Sequence, residues 1–494
     1  MMNFSRQLAK QIRSVFRRAL QISGSQTDQV VWLVADDSGL RIRAQSHRGI
    51  AEYHLPGAAT PGSIPVTMEA LAACEGTKAD ESVSVERRAD GVVALNWNDR
   101  GVPQHFQFDA TKLHAEPPPA LPETWGSNPP SLLAAMDEAM RIAPADATRF
   151  AINCAQLRTD GGRIAVTDSR QLLVQSGFMF PWTGDVLVQR SPVFRCRELV
   201  SDEPVAVGVT ANHCVFRTGP WTLWLLLEKQ GRYPTFEGVI PAADTAKTRL
   251  RLTDEDVEYL LDVLPRLPKE SPTDPRVTLD LNGSVSLLAR GTEPSPVTQL
   301  ILSNSKRQGE EVRLDTDRQF LVHAVGLGFR EIEFFGPTSP AVCRDATRIY
   351  LWSAFEEQPT IVVGSDTVRL ASPLTTSTSH RLARHLPPAR RQHHPTHERT
   401  PTRMSHNRIA ATLAGSASPP ANGSAQPVAE PSETADQSTS FVTVLREAEA
   451  VKTSLREAHS QVSRLIAALK LQRRQSKLVQ STLASLKQLQ TLEV

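Results

Sequence analysis

At 494 residues the chain exceeds what one hydrophobic core usually supports, and length alone suggests about three to four domains. Apolar residues make up 40%, and the longest uncharged apolar run, Trp221 to Leu227, is far too short to span a bilayer, so no membrane segment is expected. The net charge of +2 hides an uneven layout: Arg381, Arg384, Arg390, Arg391, Arg399, Arg403 and Arg408 face only Glu398, the C-terminal segment is basic too, and the remainder is mildly acidic.

Taken in chain order, the first helix is amphipathic. Arg6, Lys10, Arg13 and Arg17 recur every three or four residues, with Phe4, Leu8, Ile12, Val15 and Ala19 on the opposite side. One face packs and the other presents cations, which suits sequence-independent contact with phosphates or, more simply, a solvated charged face. Asp28 is the first acidic residue, so this end also has the arginine-rich composition of an organellar transit peptide, without the apolar centre of a secretory signal.

From Asp36 onward a block recurs three times. A turn leads into a strand at Asp36-Asp37-Ser38-Gly39 before Leu40, at Asp160-Gly161-Gly162 before Ile164, and at Asn282-Gly283 before Val285. A short helix follows at Val66 to Cys74, Ser191 to Leu199 and Asp315 to Val325, then a strand at Ser82 to Glu86, Val205 to Val209 and Glu331 to Phe335. Equivalent elements lie roughly 120 residues apart, the period of a domain repeat and not of a solenoid. The expected domains are 1–126, 127–245 and 246–358, each α+β with few helices on a strand-rich framework. Block two places Arg190, Arg195 and Arg197 around its second helix. Block three sets Glu255, Glu258 and Asp262 on the polar side of its first helix, opposite Val257, Leu260, Leu261 and Leu264.

Residues 371–440 change to Ser, Thr, Pro, Ala, Arg and His with almost no aromatic side chain, the composition of a disordered linker. In 441–494, Val444, Ala448, Val451, Leu455, Ala458, Val462, Leu465, Leu469, Val479, Leu483 and Leu486 form the seam of a coiled-coil helix, with Gln472 and Ser476 as a polar interruption that can fix register. Its partner is another copy or a different helix.

Chemical motifs are scarce. His393, His394, His397 and Glu398 have the spacing of metal ligands but sit among prolines without a helix to align them, so no metal and no cofactor is expected. Cys74, Cys154, Cys196, Cys214 and Cys343 show no C-x-x-C spacing, which leaves reduced thiols and a cytoplasmic setting as the default. There is no G-x-x-x-x-G-K-[ST], no G-x-S-x-G and no H-E-x-x-H, so no enzymatic activity is indicated.

Two phrases sharpen this reading. Thr167-Asp168-Ser169-Arg170-Gln171-Leu172 follows a strand, and Gly231-Arg232-Tyr233-Pro234-Thr235-Phe236-Glu237-Gly238-Val239-Ile240-Pro241 closes block two. With Phe320-Leu321-Val322, Thr338 to Val342 and Ile349-Tyr350-Leu351-Trp352 in order after them, the chain resembles the bacterial replicative sliding clamp, the beta subunit of DNA polymerase III, over roughly residues 1–356. The resemblance implies a three-domain clamp fold in which two subunits pair head to tail into a homodimer ring around duplex DNA, a non-catalytic processivity factor. It implies that channel cations would come from Arg6, Lys10, Arg13, Arg17, Arg190, Arg195 and Arg197. It also implies a pocket for peptides of polymerases and clamp-loader-type proteins at Ile152, Thr167, Leu172, Val239 and Leu351. Ser169-Arg170-Gln171 replaces the family's Gly-His-Arg, Ser353-Ala354 stands where Met-Pro is usual, and the acidic block-three helix would repel phosphate. These departures keep open a clamp-derived interaction scaffold that no longer encircles DNA.

A peptide spanning residues 441–494 is expected to be helical and self-associating, because roughly six heptads of apolar seam need a covering helix. Leu465→Asp with Leu469→Asp abolishes both properties; a peptide that stays monomeric and unstructured at high concentration by circular dichroism and light scattering refutes self-pairing.

Overall fold

The computed structural model of the chain describes residues 1–374 except 23–28, 58, 114–116, 147–149, 272, 337 and 356–360. Of the linker expected over 371–440, Ala371 instead ends a strand and Ser372 is buried, while the remainder beyond 374, the histidine cluster and the coiled-coil segment lie outside the described residues.

Block one opens with strand Met2–Ser5. Ser5 then caps helix α1 (Arg6–Ala19) by accepting a hydrogen bond from the Leu8 amide at 3.1 Å. Leu8, Ile12, Val15, Phe16 and Ala19 are buried, a stripe at helical spacing that holds α1 on the sheets. Strands Val30–Asp36, Gly39–Ser46 and Gly49–Pro56 pair antiparallel in succession, and Gly62–Thr67 pairs with the far side of the first of them. The turn before the second needs glycine: Gly39 has φ 136°, and a Cβ there would lie 2.2 Å from the Leu55 carbonyl oxygen. Thr67 caps α2 (Met68–Cys74), and Ser82–Arg87, Val92–Asp99 and Val102–Asp109 complete a second sheet beside Met2–Ser5.

A similar succession returns twice, with 3-10 turns in place of the second helix in block two and one additional strand, Lys306–Gly309, in block three. Block two has Gly126–Asn128, α3 (Ser131–Ile142), then Cys154–Arg158, Arg163–Thr167, Gln171–Gln175 and Asp185–Gln189, and after two single 3-10 turns Val205–Val209, His213–Thr218 and Trp221–Glu228. Block three has Thr248–Arg251, α4 (Asp254–Val263), then Arg276–Asp280, Ser286–Ala289, Thr298–Ile301, Lys306–Gly309 and Arg313–Asp317. It ends with α5 (Arg318–Gly326), Glu331–Phe334, Ala341–Arg344 and Arg348–Trp352.

Sheets run across the block boundaries by one rule. The fourth strand of block one, Gly49–Pro56, pairs antiparallel with the last strand of block two, Trp221–Glu228. The fourth strand of block two, Gln171–Gln175, pairs antiparallel with the last strand of block three, Arg348–Trp352. Each junction is then covered with bulky apolar groups whose polar atoms are satisfied: Trp224 Nε1 donates to the Ala120 carbonyl at 3.0 Å and Trp352 Nε1 to Thr316 Oγ1 at 2.9 Å. All five cysteines are free and buried; burial pushes the Cys74 and Cys154 thiols up to about 12 and Cys196 to about 11. Among the described residues, no helix is long and apolar enough to cross a membrane.

The structure departs from the sequence reading at several points. Ser191 to Leu199 is not one helix but two 3-10 turns, Pro192–Arg195 and Arg197–Leu199, because Cys196 is extended and buries its thiol between them. The helix expected from Asp315 starts at Arg318, since Asp315 to Asp317 finish a strand and Asp317 is the cap, accepting from the Gln319 amide at 2.8 Å. Leu261 is exposed, outside the apolar face of α4. Past the expected end of block three at 358, one more strand, Val368–Ala371, pairs parallel with Thr298–Ile301.

Arg6 is the sharpest departure. It is buried, and its guanidinium reaches Glu81 at 2.6 Å, Asp99 at 3.0 Å, and the carbonyls of Cys74, Glu75 and Asn98. It locks α1 to the second half of block one and presents no charge to an outside ligand. Arg6→Ala should lower unfolding stability by about 2–3 kcal/mol, since Glu81 and three carbonyls lose their donor. Lys10→Ala, on the exposed face, should stay within about 0.5 kcal/mol. Equal denaturant midpoints for the two variants would refute the structural role.

Candidate functional site

A cavity of about 750 Å³ lies where block two meets block three. It forms because Gln171–Gln175 and Arg348–Trp352 are paired edge to edge, Leu172 directly opposite Leu351, while the Tyr233 to Pro241 phrase folds over the same surface. All five expected pocket residues line it. Ile152, Thr167, Leu172 and Leu351 form buried walls, and Val239, 54% exposed, stands at the rim. Leu172 and Leu351 belong to a small apolar cluster with Ala165, Val174, Tyr233, Phe236 and Val342.

The polar wall is the loop from Thr167 to Gln171, held partly by its own atoms and partly by Tyr233, Tyr350 and Ser353. Asp168 accepts from the amides of Arg170 and Gln171, both at 2.9 Å, and from Gln171 Nε2 at 2.7 Å. Thr167 Oγ1 donates to the Gln171 carbonyl at 2.6 Å and accepts from the Ser169 amide at 3.0 Å. Tyr233 anchors the loop from below: its hydroxyl accepts from the Thr167 amide at 3.1 Å and donates to the Ala165 carbonyl at 3.3 Å. Burial pushes this phenol well above its ordinary pKa, so it acts as a fixed hydroxyl.

Gln171 ties the two blocks together. Its side-chain oxygen accepts from the Tyr350 hydroxyl at 2.7 Å and lies 3.3 Å from His323 Nδ1, whose pKa is lowered by burial and by nearby Arg141. The Arg170 carbonyl accepts from the Ser353 amide at 2.9 Å, and the Arg170 guanidinium lies over the Phe355 ring. The arrangement offers apolar walls, a rim of hydroxyls and amides, and open access from one side. This is equipment for holding an extended apolar segment, with no paired nucleophile and base lining it.

A second surface carries the cations. Lys10, Arg17 and Arg18 are exposed along α1, with Arg17 and Arg18 in the last turn where the helix dipole favours them. Arg13 is half-buried and paired with Glu75 at 2.9 Å. The end of α1 packs against the first 3-10 turn of block two, where Arg18 donates to Ser14 Oγ and reaches Cys196 Sγ. Arg195 and Arg197 flank that cysteine and are exposed, Arg195 lying 3.4 Å from Asp137. Arg190 is half-buried and donates to the Met140 carbonyl at 3.1 Å. Thus Lys10, Arg17, Arg195 and Arg197 remain presented, Arg13 and Arg190 are engaged, and Arg6 is buried. Arg18 joins the set; its position beside Arg17 is the signal in the sequence that points to it. On α4, Glu255, Glu258 and Asp262 are exposed, as their spacing suggests.

One strained residue belongs to the cleft. Ser169 sits at φ 75°, a left-handed conformation that glycine adopts without cost. Ser169→Gly should raise unfolding stability by about 0.5–1 kcal/mol, read as a shift of denaturant midpoint; a loss of stability would mean the hydroxyl's bond to the Asp168 carbonyl outweighs the strain.

No protein-family model and no curated protein matches the sequence. Solved structures do match in shape. The DNA polymerase III subunit beta of Pseudomonas aeruginosa aligns with TM-score 0.59 at 16% identity, covering 72% of this chain and 99% of that one. The DNA polymerase sliding clamp of Bacillus subtilis aligns with TM-score 0.58 at 16% identity and the same coverage. The DNA polymerase III subunit beta of Borrelia burgdorferi, solved with a natural product, aligns with TM-score 0.61 at 12% identity, covering 72% and 100%. The chain therefore has the α+β sliding-clamp fold, in a divergent form.

Proposed function

We propose that this clamp-fold chain is a non-catalytic DNA tether: two copies close head to tail around duplex DNA, and the cleft between blocks two and three holds a peptide of a polymerase or clamp-loader-type partner. The observation that carries the reading is the convergence of Ile152, Thr167, Leu172, Val239 and Leu351 on one cavity at the block junction. Such a site needs apolar anchors ringed by backbone groups, and that is its composition. Lys10, Arg17, Arg18, Arg195 and Arg197 would supply sequence-independent phosphate contacts. The body needs no membrane for this role, and a cytoplasmic setting suits it.

A second reading has its own support. Glu255, Glu258 and Asp262 are exposed on α4, where a DNA-lined channel would want cations. On that reading the chain is a clamp-derived scaffold that joins partners without encircling DNA.

Retention on nicked circular DNA with release on linearisation distinguishes the two, since only a closed ring is topologically bound. Lys10→Ala, Arg17→Ala and Arg18→Ala together should flatten the log–log salt dependence of duplex binding by up to about 0.9 for each phosphate no longer neutralised. Equal retention on circular and linear DNA, or an unchanged salt slope, would favour the scaffold.

A further inference from the structure

The junction rule leaves two strands over. Fourth strands pair with the last strand of the next block at both internal boundaries, and both pairings are antiparallel. The fourth strand of block three, Thr298–Ile301, and the last strand of block one, Val102–Asp109, are the pair that remains. Within one chain they do not meet. Between two copies, the same rule would join them and close the ring, so this inference rests on the ring reading above. Val102–Asp109 is available: among the described residues it pairs with Val92–Asp99 alone, and most of its side chains are exposed. Thr298–Ile301 is not. Ser286–Ala289 covers one side and Val368–Ala371 the other.

We propose that the segment Val368–Pro373 is an internal strap that occupies the sheet edge a second copy would need, so that the chain governs its own ring closure. The strap is latched. The Val368 amide donates to the Val297 carbonyl and the Ser372 amide to the Ile301 carbonyl, both at 2.9 Å, and strand alternation gives the Leu370 amide the same direction. Ser372 is buried; its hydroxyl donates to Asp256 and accepts from the Ser303 amide at 2.8 Å. The Ser372 carbonyl accepts from Ser303 Oγ at 2.8 Å, and the Pro373 carbonyl accepts from Asn304 Nδ2 at 2.9 Å. Asp256 is fully buried in the first turn of α4, where Ser305 Oγ, at 2.6 Å, and the Asn304 amide, at 3.0 Å, also donate to it. Burial alone would raise its pKa, but these hydrogen bonds hold the carboxyl below the ordinary range, so it stays a charged acceptor for the latch.

Mass action favours the strap. A strand tethered by a short connection presents an effective concentration in the millimolar range, roughly a thousandfold above a second copy at micromolar concentration. A partner chain at micromolar concentration is outcompeted while the Ser372 latch holds.

The test uses the full chain carrying Leu465→Asp and Leu469→Asp, which silences the C-terminal seam. That parent should have the mass of one chain at micromolar concentration, with slow hydrogen exchange at residues 299–301 and in the strap. Adding Leu370→Pro and Ser372→Ala, or deleting residues 366–373 outright, should give the mass of two chains, with new protection in Val102–Asp109. A parent that is already a two-chain species while its strap stays protected overturns the strap and leaves the ring reading standing. Deletion variants that stay at one chain, with Thr298–Ile301 exchanging fast, overturn the ring reading, and the strap then has no closure to govern.

Discussion

A strand at the edge of a sheet carries a row of unpaired amides and carbonyls, and this structure is organised by where those rows find partners. Within a block the edges are left at fixed places by the repeated order of strands. Between blocks the fourth strand meets the next block's last strand, as in Ala51 opposite Leu223 and Leu173 opposite Tyr350. The repeat would otherwise be three separate bodies on a string. Pairing turns it into continuous sheets with buried tryptophans at each joint.

The cleft is a by-product of the second joint. When Gln171–Gln175 and Arg348–Trp352 come together, Leu172 and Leu351 face one another, and the Tyr233 to Pro241 phrase has to pass over them to reach block three. Tyr233 cannot be buried without a partner for its hydroxyl, and the backbone at Ala165 and Thr167 supplies both a carbonyl and an amide. The loop that carries the polar wall is thereby fixed to the apolar floor. A chain that keeps the joint keeps the cleft, even where individual rim residues differ.

Much of this is legible in the sequence. Gly and Asp turns before apolar alternation mark equivalent strands in all three blocks, and the pocket residues can be carried over from the resemblance because two phrases keep their order. What escapes is set by distant partners. Arg6 has the spacing of a surface cation, but Glu81 and Asp99 lie more than seventy positions further along, so its burial leaves no local trace. The helices that begin at Met68 and Arg318 read two or three residues too long at their starts, because Thr67 and Asp317 pass for helix interior until their capping role is seen. Val368–Ala371 is a four-residue run beside a Ser- and Pro-rich stretch, and its strand character comes wholly from Thr298–Ile301 across from it.

Because Gln171, Tyr350 and Ser353 join the blocks at the edge of the cleft, whatever fills the cleft binds a surface that exists only while that joint is intact. Occupancy and rigidity are then two sides of one equilibrium: a ligand at a hundredfold excess over its dissociation constant would hold the joint shut by about 2.7 kcal/mol. A filled cleft would then splint that joint.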